Sequence, residues 1–185
     1  MNFYLKKKFR LHKKIIDLPE ILICSSFFDQ RGSFTSLGKI IHKHFNTNPA
    51  QVNLSITKKL GTVRGLHLQK NSEQKIIKCI KGKIFDVVVD CRAHSPYFGK
   101  YFQFELDSIN DNYLHIPSGF AHGFQSLLDD TMLLYIHSAE YLSHEQIGIN
   151  PKDEYLDIHW PCEISEISEK DRNLPNFKNL NLTFK

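Results

Sequence analysis

A chain of 185 residues, 41% of them hydrophobic and 24% charged, has the composition of an ordinary globular protein. That length suits one sizeable core and is short for two, so a single domain over 1–185 is expected, with an N-terminal arm over about 1–20 and an irregular C-terminal segment over about 162–185. The net charge of +4 is mild, and six of the basic groups sit in the run Leu5 to Lys14, which reads as a solvated arm and not as a nucleic-acid-binding element.

No segment reaches the roughly 18 apolar residues of a membrane span, and no apolar stretch follows the basic start as it would in a signal peptide. A cytoplasmic protein with no membrane partner is therefore expected. Cys24, Cys79, Cys91 and Cys162 stand far apart and form no CxxC pair. They read as reduced packing residues rather than as a zinc or redox site.

In chain order, the first regular signal is a short helix over Ser36 to Phe45. From about residue 50 to 140 the pattern changes to short runs of period two broken by turn residues, the signature of an all-β sandwich or barrel. "QVNLSIT" places Val52, Leu54 and Ile56 on one face and Gln51, Asn53 and Ser55 on the other. "TVRGLHLQ" places Val63, Gly65, His67 and Gln69 together, and Arg64, Leu66 and Leu68 opposite. A polar face on two successive strands predicts a lined cavity.

"KIIKCI" and "KIFDVVVDCR" then read as a hairpin about Gly82, and "QSLL" and "TMLLYIHSAEY" as another about Asp129 and Asp130. Between them "KYFQFEL" and "NYLHIP" read as two strands parted by "DSIND". Roughly eight strands in about ninety residues is the count of a jelly roll. A second helix is expected within "ISEISEKDRN", and an irregular tail beyond Asn173.

Two motifs carry chemistry. "IPSGFAHGF" sets Pro117, Gly119 and His122 in a Pro-x-Gly-x-x-His spacing, a tight corner that turns a barrel strand so that His122 faces the lumen. It resembles the second sequence motif of the cupin superfamily. In metal-binding cupins the first motif is His-x-His followed by a glutamate. Here the matching stretch is "HLQKNSE", with Gln69 in place of the second histidine and Glu73 at a plausible offset. Glutamine is a poor ligand for a first-row metal and Lys75 would repel a cation, so neither a metal nor another cofactor is expected. On its own residues, His67 stays open between a packed histidine, a metal ligand and a base.

Six segments in order, from "FFDQRGSF" through "QVNLSITKKLGTVRGLHLQ", "KIIKCIKGKIFDVVVDCRAHSPYFGK", "LHIPSGFAHGFQSLLDDTMLLYIHSAEY" and "HEQIGINPKDEYLDIHWP" to "SEKD", span about residues 27 to 171. Together they resemble the dTDP-4-dehydrorhamnose 3,5-epimerase family, which acts on nucleotide-linked 4-keto sugars within a jelly roll of cupin type. The resemblance implies a metal-free isomerase, inverting C3, C5 or both through an enolate, in surface-polysaccharide sugar biosynthesis. His67 matches the family's base and Asp171 the carboxylate that orients it. Lys75 matches the lysine beside the C4 keto oxygen, and Tyr135 the acid on the far face.

Arg31 and Arg64 match residues that hold the substrate, Gln51 and Asn53 neutral donors of the same pocket, and His122, Glu145 and Lys170 further substrate contacts. Tyr141 suits stacking on the nucleobase. Ser36 occupies a position where the family usually carries a glutamate at the nucleotide end of the substrate, which sets a GDP-linked 4-keto-6-deoxy-heptose beside the dTDP-linked sugar. Leu68 replaces the family's usual tyrosine, a packing change on the face away from His67. The family is dimeric and exchanges N-terminal strands, which would carry Arg31 to the partner's site. By periodicity Arg64 points away from His67, so a substrate role requires a twist or bulge at Gly65. Two other readings stand beside this one: a metal-dependent cupin isomerase or dioxygenase using His67, Glu73 and His122, and a non-catalytic sugar-nucleotide binding module.

Overall fold

A computed structural model of the chain describes residues 10–11, 14–15 and 17–182. The N-terminal arm expected over about 1–20 therefore lies largely outside the described residues. Within it, Arg10–Leu11 (β1) pairs antiparallel with Lys14–Ile15 (β2). In order there follow β3 (Glu20–Ile23), β4 (Ser26–Asp29), β5 (Gly32–Thr35), α1 (Gly38–Phe45), β6 (Gln51–Thr57), β7 (Thr62–Gln69), β8 (Lys75–Lys81) and β9 (Lys83–Asp90). The chain continues through β10 (Tyr101–Asp107), β11 (Asn112–Ile116), β12 (Phe120–Ser126), β13 (Thr131–His137), β14 (Gln146–Gly148), β15 (Glu166–Ile167) and α2 (Glu169–Arg172).

Two sheets face each other as an all-β jelly roll of cupin type. The first runs β3-β11-β8-β13-β6, and the second β10-β9-β12-β7-β14 with β15 added parallel to β7. The hairpins expected about Gly82 and about Asp129 and Asp130 do not form. β8 lies between β11 and β13 in the first sheet, while β9 lies between β10 and β12 in the second. The same crossing separates β12 from β13. Turn residues mark where a strand ends, but the choice between folding back and crossing over is made by distant partners.

β8 and β9 are buried on both faces, which suits their β-branched runs. Ile77, Ile84, Val88, Leu114, Phe124 and Leu133, drawn from both sheets, fill one end of the sandwich. On the outer face of the second sheet, Leu66, Leu68, Val87 and Val89 pack against Ile149, Leu156 and Phe177. Leu68 thus sits in a core, as its face predicted. α1 covers the outer face of the first sheet, where Leu37, Ile40, Ile41 and Phe45 recur at helical spacing against Ile76, Tyr113 and Ile136.

In the segment from 162 onward, α2 falls within the stretch expected to be helical, and β15 pairs with β7. Cys24, Cys79, Cys91 and Cys162 are all free thiols. Burial pushes the thiol of Cys79 up to about 11 and that of Cys91 to about 12, which suits inert packing groups.

Candidate active site

The unfilled end of the sandwich is a cavity of about 680 Å³ between the inner faces of β6, β8 and β13 on one wall and β7 and β12 on the other. The residue that shapes it is Gly65. Between β7 and β12 the register steps from His67 opposite His122 to Arg64 opposite Phe124, so β7 carries one extra residue there. This is a bulge, and Gly65 takes it at φ +116°, a conformation that side chains rarely adopt. The bulge resets the alternation, and Arg64, which period two sends outward, lines the same cavity as His67. The Arg64 guanidinium is steadied by Thr57 Oγ1 and the Ile56 carbonyl, both at 3.1 Å.

The bulge also turns the Gly65 N–H toward Asp171, donating to Oδ2 at 3.2 Å, while Oδ1 lies 2.7 Å from His67 Nε2. Asp171 stands on α2, whose N-cap Ser168 accepts the Asp171 N–H at 3.0 Å. Burial alone would raise the Asp171 carboxyl. The His67 ring and the Gly65 N–H outweigh it and hold the group below its ordinary range. With Nε2 donating to a carboxylate, His67 keeps its Nδ1 lone pair for other work. Such a pair can take up a proton at the cavity wall and stabilise the imidazolium formed.

Lys75 lies on the facing wall. Its Nζ is 3.3 Å from Glu73 Oε2 and donates to the His67 carbonyl at 3.3 Å. Glu73 Oε1 in turn meets Gln69 Nε2 and His137 Nδ1, both at 2.9 Å. Burial acts to raise the Glu73 carboxyl, but the His137 bond and the Lys75 charge win and lower it. Lys75 is thus a fixed cation inside the cavity, suited to a developing oxyanion.

Tyr135 also lies on the facing wall, stacked on His137 at 5.9 Å and edge-on to His122 at 6.1 Å between ring centroids. Burial and the nearby Asp86 push its hydroxyl upward against the pull of Arg64, so it is a phenol and not a phenolate at neutral pH. His122 enters the lumen after the corner at Gly119, which adopts φ +82° as the Pro-x-Gly spacing predicts. Its Nε2 lies 2.8 Å from Oδ2 of the wholly buried Asp86, whose carboxyl is raised by burial with His122 opposing.

Among residues singled out from sequence, the fold gathers His67, Asp171, Lys75, Tyr135, Asn53, Arg64, His122 and Tyr141 at this cavity. Gln51 is next to it, donating to the Ala139 carbonyl at 2.9 Å and accepting from Asn53 at 3.4 Å. Lys170 sits at the rim, 3.0 Å from Gln146 Oε1, which Tyr141 also reaches at 2.9 Å. Glu145 uses its carbonyl on the Lys70 N–H. Arg31 lies away from the cavity at the β4–β5 turn, paired with Asp29 at 2.6 Å, and Ser36 is exposed just beyond β5.

Sequence reasoning missed Asp86 and His137. Both carried a usable signal: Asp86 interrupts an apolar strand, and His137 follows Tyr135 by two, on the same face. The donor set of His67, Glu73 and His122 does not suit one metal, since each is already bonded to its own partner in Asp171, Lys75 with His137, and Asp86.

Comparison with known proteins matches this geometry to one family. The family model described as dTDP-4-dehydrorhamnose 3,5-epimerase matches residues 15–179. A relative of that description from Sinorhizobium fredii is 37% identical, covering 85% of this chain and 84% of its own. The crystal structure of a dTDP-6-deoxy-D-glucose-3,5-epimerase from Legionella pneumophila, in complex with dTDP-4-keto-L-rhamnose, superposes with TM-score 0.82 at 30% identity, covering 90% of this chain and 91% of that one. A 3'-monoepimerase from Streptomyces bikiniensis, in complex with dTDP-quinovose, does so with TM-score 0.78 at 29% identity over 86% and 84%.

Proposed function

Because the chain belongs to the dTDP-4-dehydrorhamnose 3,5-epimerase family, we propose that it is an isomerase that epimerises a dTDP-linked 4-keto-6-deoxy sugar at C3, C5 or both. The observation that carries this reading is the placement of a carboxylate-held histidine on one wall and of a protonated tyrosine and a fixed ammonium on the facing one.

In the proposed mechanism His67 Nδ1 removes the proton beside the ketone, and Asp171 stabilises the imidazolium through Nε2. The electron pair moves into the C4 oxygen, and Lys75 faces the enolate so formed. An α-proton is far too weak an acid for an unaided imidazole, so this electrostatic term supplies most of the barrier lowering. As the enolate collapses to the ketone, Tyr135 gives its proton to the opposite face of the carbon, which inverts it; solvent then reprotonates the phenolate and takes the proton held by His67. Arg64, with its forked donors, holds diphosphate oxygens, while Asn53 and His122 bind sugar hydroxyls.

The protein acts as a homodimer with exchanged N-terminal strands, in the cytoplasm, supplying sugars for a surface polysaccharide. Support for the dimer comes from the edge strand β6, where Val52, Leu54 and Ile56 are 59, 57 and 41% exposed, and from Phe27, Phe28 and Phe34 standing out on the β4–β5 hairpin. Such an assembly brings Arg31 to the partner's cavity. Light scattering of the purified protein, with Val52→Asp as the variant that dissociates it, tests the dimer.

The decisive experiment on activity is solvent exchange. Incubated with dTDP-4-keto-L-rhamnose in deuterated buffer, the protein incorporates deuterium at C3, C5 or both by NMR. No incorporation into that sugar or into a GDP-linked 4-keto sugar would overturn the catalytic reading in favour of a binding module. Incorporation into the GDP-linked sugar alone would replace dTDP by GDP in this reading, and Ser36→Glu would then test whether that position sets the preference.

A further inference from the structure

On the outer face of the first sheet, away from the cavity, three metal-ligating side chains meet beneath the last turn of α1. Glu20 on β3 and His115 on β11 are register partners, so their side chains share one face. His44 reaches them from α1. One donor atom from each of the three lies within 4.8 Å of the other two. His44 Nδ1 is 3.7 Å and His115 Nδ1 4.0 Å from Glu20 Oε1, and the two rings are 4.5 Å apart.

These separations are too long for hydrogen bonds. Both imidazoles are more than nine-tenths hidden from solvent, yet His115 Nδ1 and His44 Nε2 have no hydrogen-bond partner among the described residues. A buried ring nitrogen without a partner is a cost the fold must recover elsewhere. The other nitrogen of His115 is oriented, because Nε2 lies 2.9 Å from Gln74 Oε1, which only accepts. That bond puts the proton on Nε2 and leaves a lone pair on Nδ1 aimed at Glu20. The arrangement repeats the way an outer partner orients a ligating histidine. Half of the Glu20 side chain is open to solvent, which gives an ion a way in.

We propose that Glu20, His44 and His115 form a binding site for a divalent transition metal, zinc by its donor set, which clamps α1 onto the first sheet. Two imidazole nitrogens and one carboxylate oxygen, with water as the fourth ligand, are a common zinc set. Ligand atoms about 2.1 Å from a tetrahedral ion lie about 3.4 Å apart, so Glu20 needs to close on each ring by less than about 1 Å and the two ring nitrogens on each other by at most about 1.4 Å. The exposed Glu20 side chain can make its part of that movement. The site is separate from the cavity, since His115 pairs with Ile76 while its neighbour Ile116 pairs with Lys75, on the inner face.

The test is calorimetric titration of chelator-treated full-length protein with zinc chloride, paired with thermal unfolding and with visible spectra of the cobalt-substituted form. One equivalent is expected to bind, with a rise in Tm and the absorption of a four-coordinate cobalt site. His44→Gln and Glu20→Gln should each weaken binding at least about tenfold and remove the Tm rise. His67→Asn should leave both unchanged. Absence of saturable binding, binding indifferent to both His44→Gln and Glu20→Gln, or loss of binding in His67→Asn would each overturn the proposal. The two variants lie on different elements, so one that fails to fold leaves the other to decide.

Discussion

Lys75 and Glu73 form an ion pair at 3.3 Å in which the side chains are only 10% and 5% exposed, on the wall of the cavity that holds His67. A buried charge is costly unless it is paired, and here the partner is a carboxylate itself gripped by His137 and Gln69. Glu73→Gln should therefore leave the Lys75 side chain without its charged partner, with solvent exchange slowed about tenfold or more and stability reduced by about 3 kcal/mol. Lys75→Met should slow solvent exchange about 10²- to 10³-fold at every pH. A Glu73→Gln protein that exchanges solvent deuterium as fast as the wild type, measured by initial rates, would remove Glu73 from this positioning role.

Asp171→Asn removes the charge that stabilises the His67 imidazolium while keeping the shape of the contact. Solvent exchange is expected to fall about 10²- to 10⁴-fold, and His67→Asn should abolish it. The same carboxylate has a stability signature. Its folded value lies below the unfolded 3.8, so its contribution is complete above 3.8 and is lost as pH falls through the folded value. The stability advantage of the wild type over Asp171→Asn in urea should hold from neutral pH down to about 4 and shrink below it. An advantage that grew on acidification would contradict the assignment of a depressed carboxyl.

Much of this site is legible in the chain. Period two alone put His67 and Gln69 on one face, and the corner at Pro117 and Gly119 predicted that His122 enters the lumen. What stays hidden depends on contacts between distant residues. Nothing local pairs Asp171 with His67 across 104 positions, and only the family resemblance joined them. Strict alternation sent Arg64 outward, and only its family match required a twist or bulge at Gly65; the register step against β12 is that bulge. The strands β8 and β9 looked like a hairpin because a Gly turn serves a crossing between sheets equally well.

Tyr135→Phe separates two halves of the reaction. Loss of the α-proton to His67 does not involve the phenol, whereas return of a proton to the far face does. Washout of label from C3 and C5 should persist in the variant, within about tenfold of wild type, while inversion falls by about 10² or more. Following both in one NMR time course checks this, and equal loss of washout and inversion would exclude Tyr135 as the far-face acid.

Gly65→Ala should be the most damaging single-methyl change in the cavity wall. A Cβ built there would stand 2.6 Å from Gly123 Cα and 2.8 Å from the His122 carbonyl oxygen, both backbone atoms that cannot swing aside. The residue also sits at φ +116°, where an alanine is strained whatever the space. Relief requires β7 to part from β12 or to lose its bulge. Either movement withdraws the Gly65 N–H from Asp171 and returns Arg64 toward the outer face. The expected result is a loss of at least about 2 kcal/mol of stability, with substrate affinity and exchange both reduced. Gly38→Ala, at the start of α1, where no described atom outside its own helix backbone and chain neighbours lies within 4 Å of the added methyl, is the control and should be neutral or stabilising by up to about 1 kcal/mol. Thermal unfolding and exchange rates on the pair decide it: a Gly65→Ala protein as stable and active as Gly38→Ala would show that the bulge is not what sets the site.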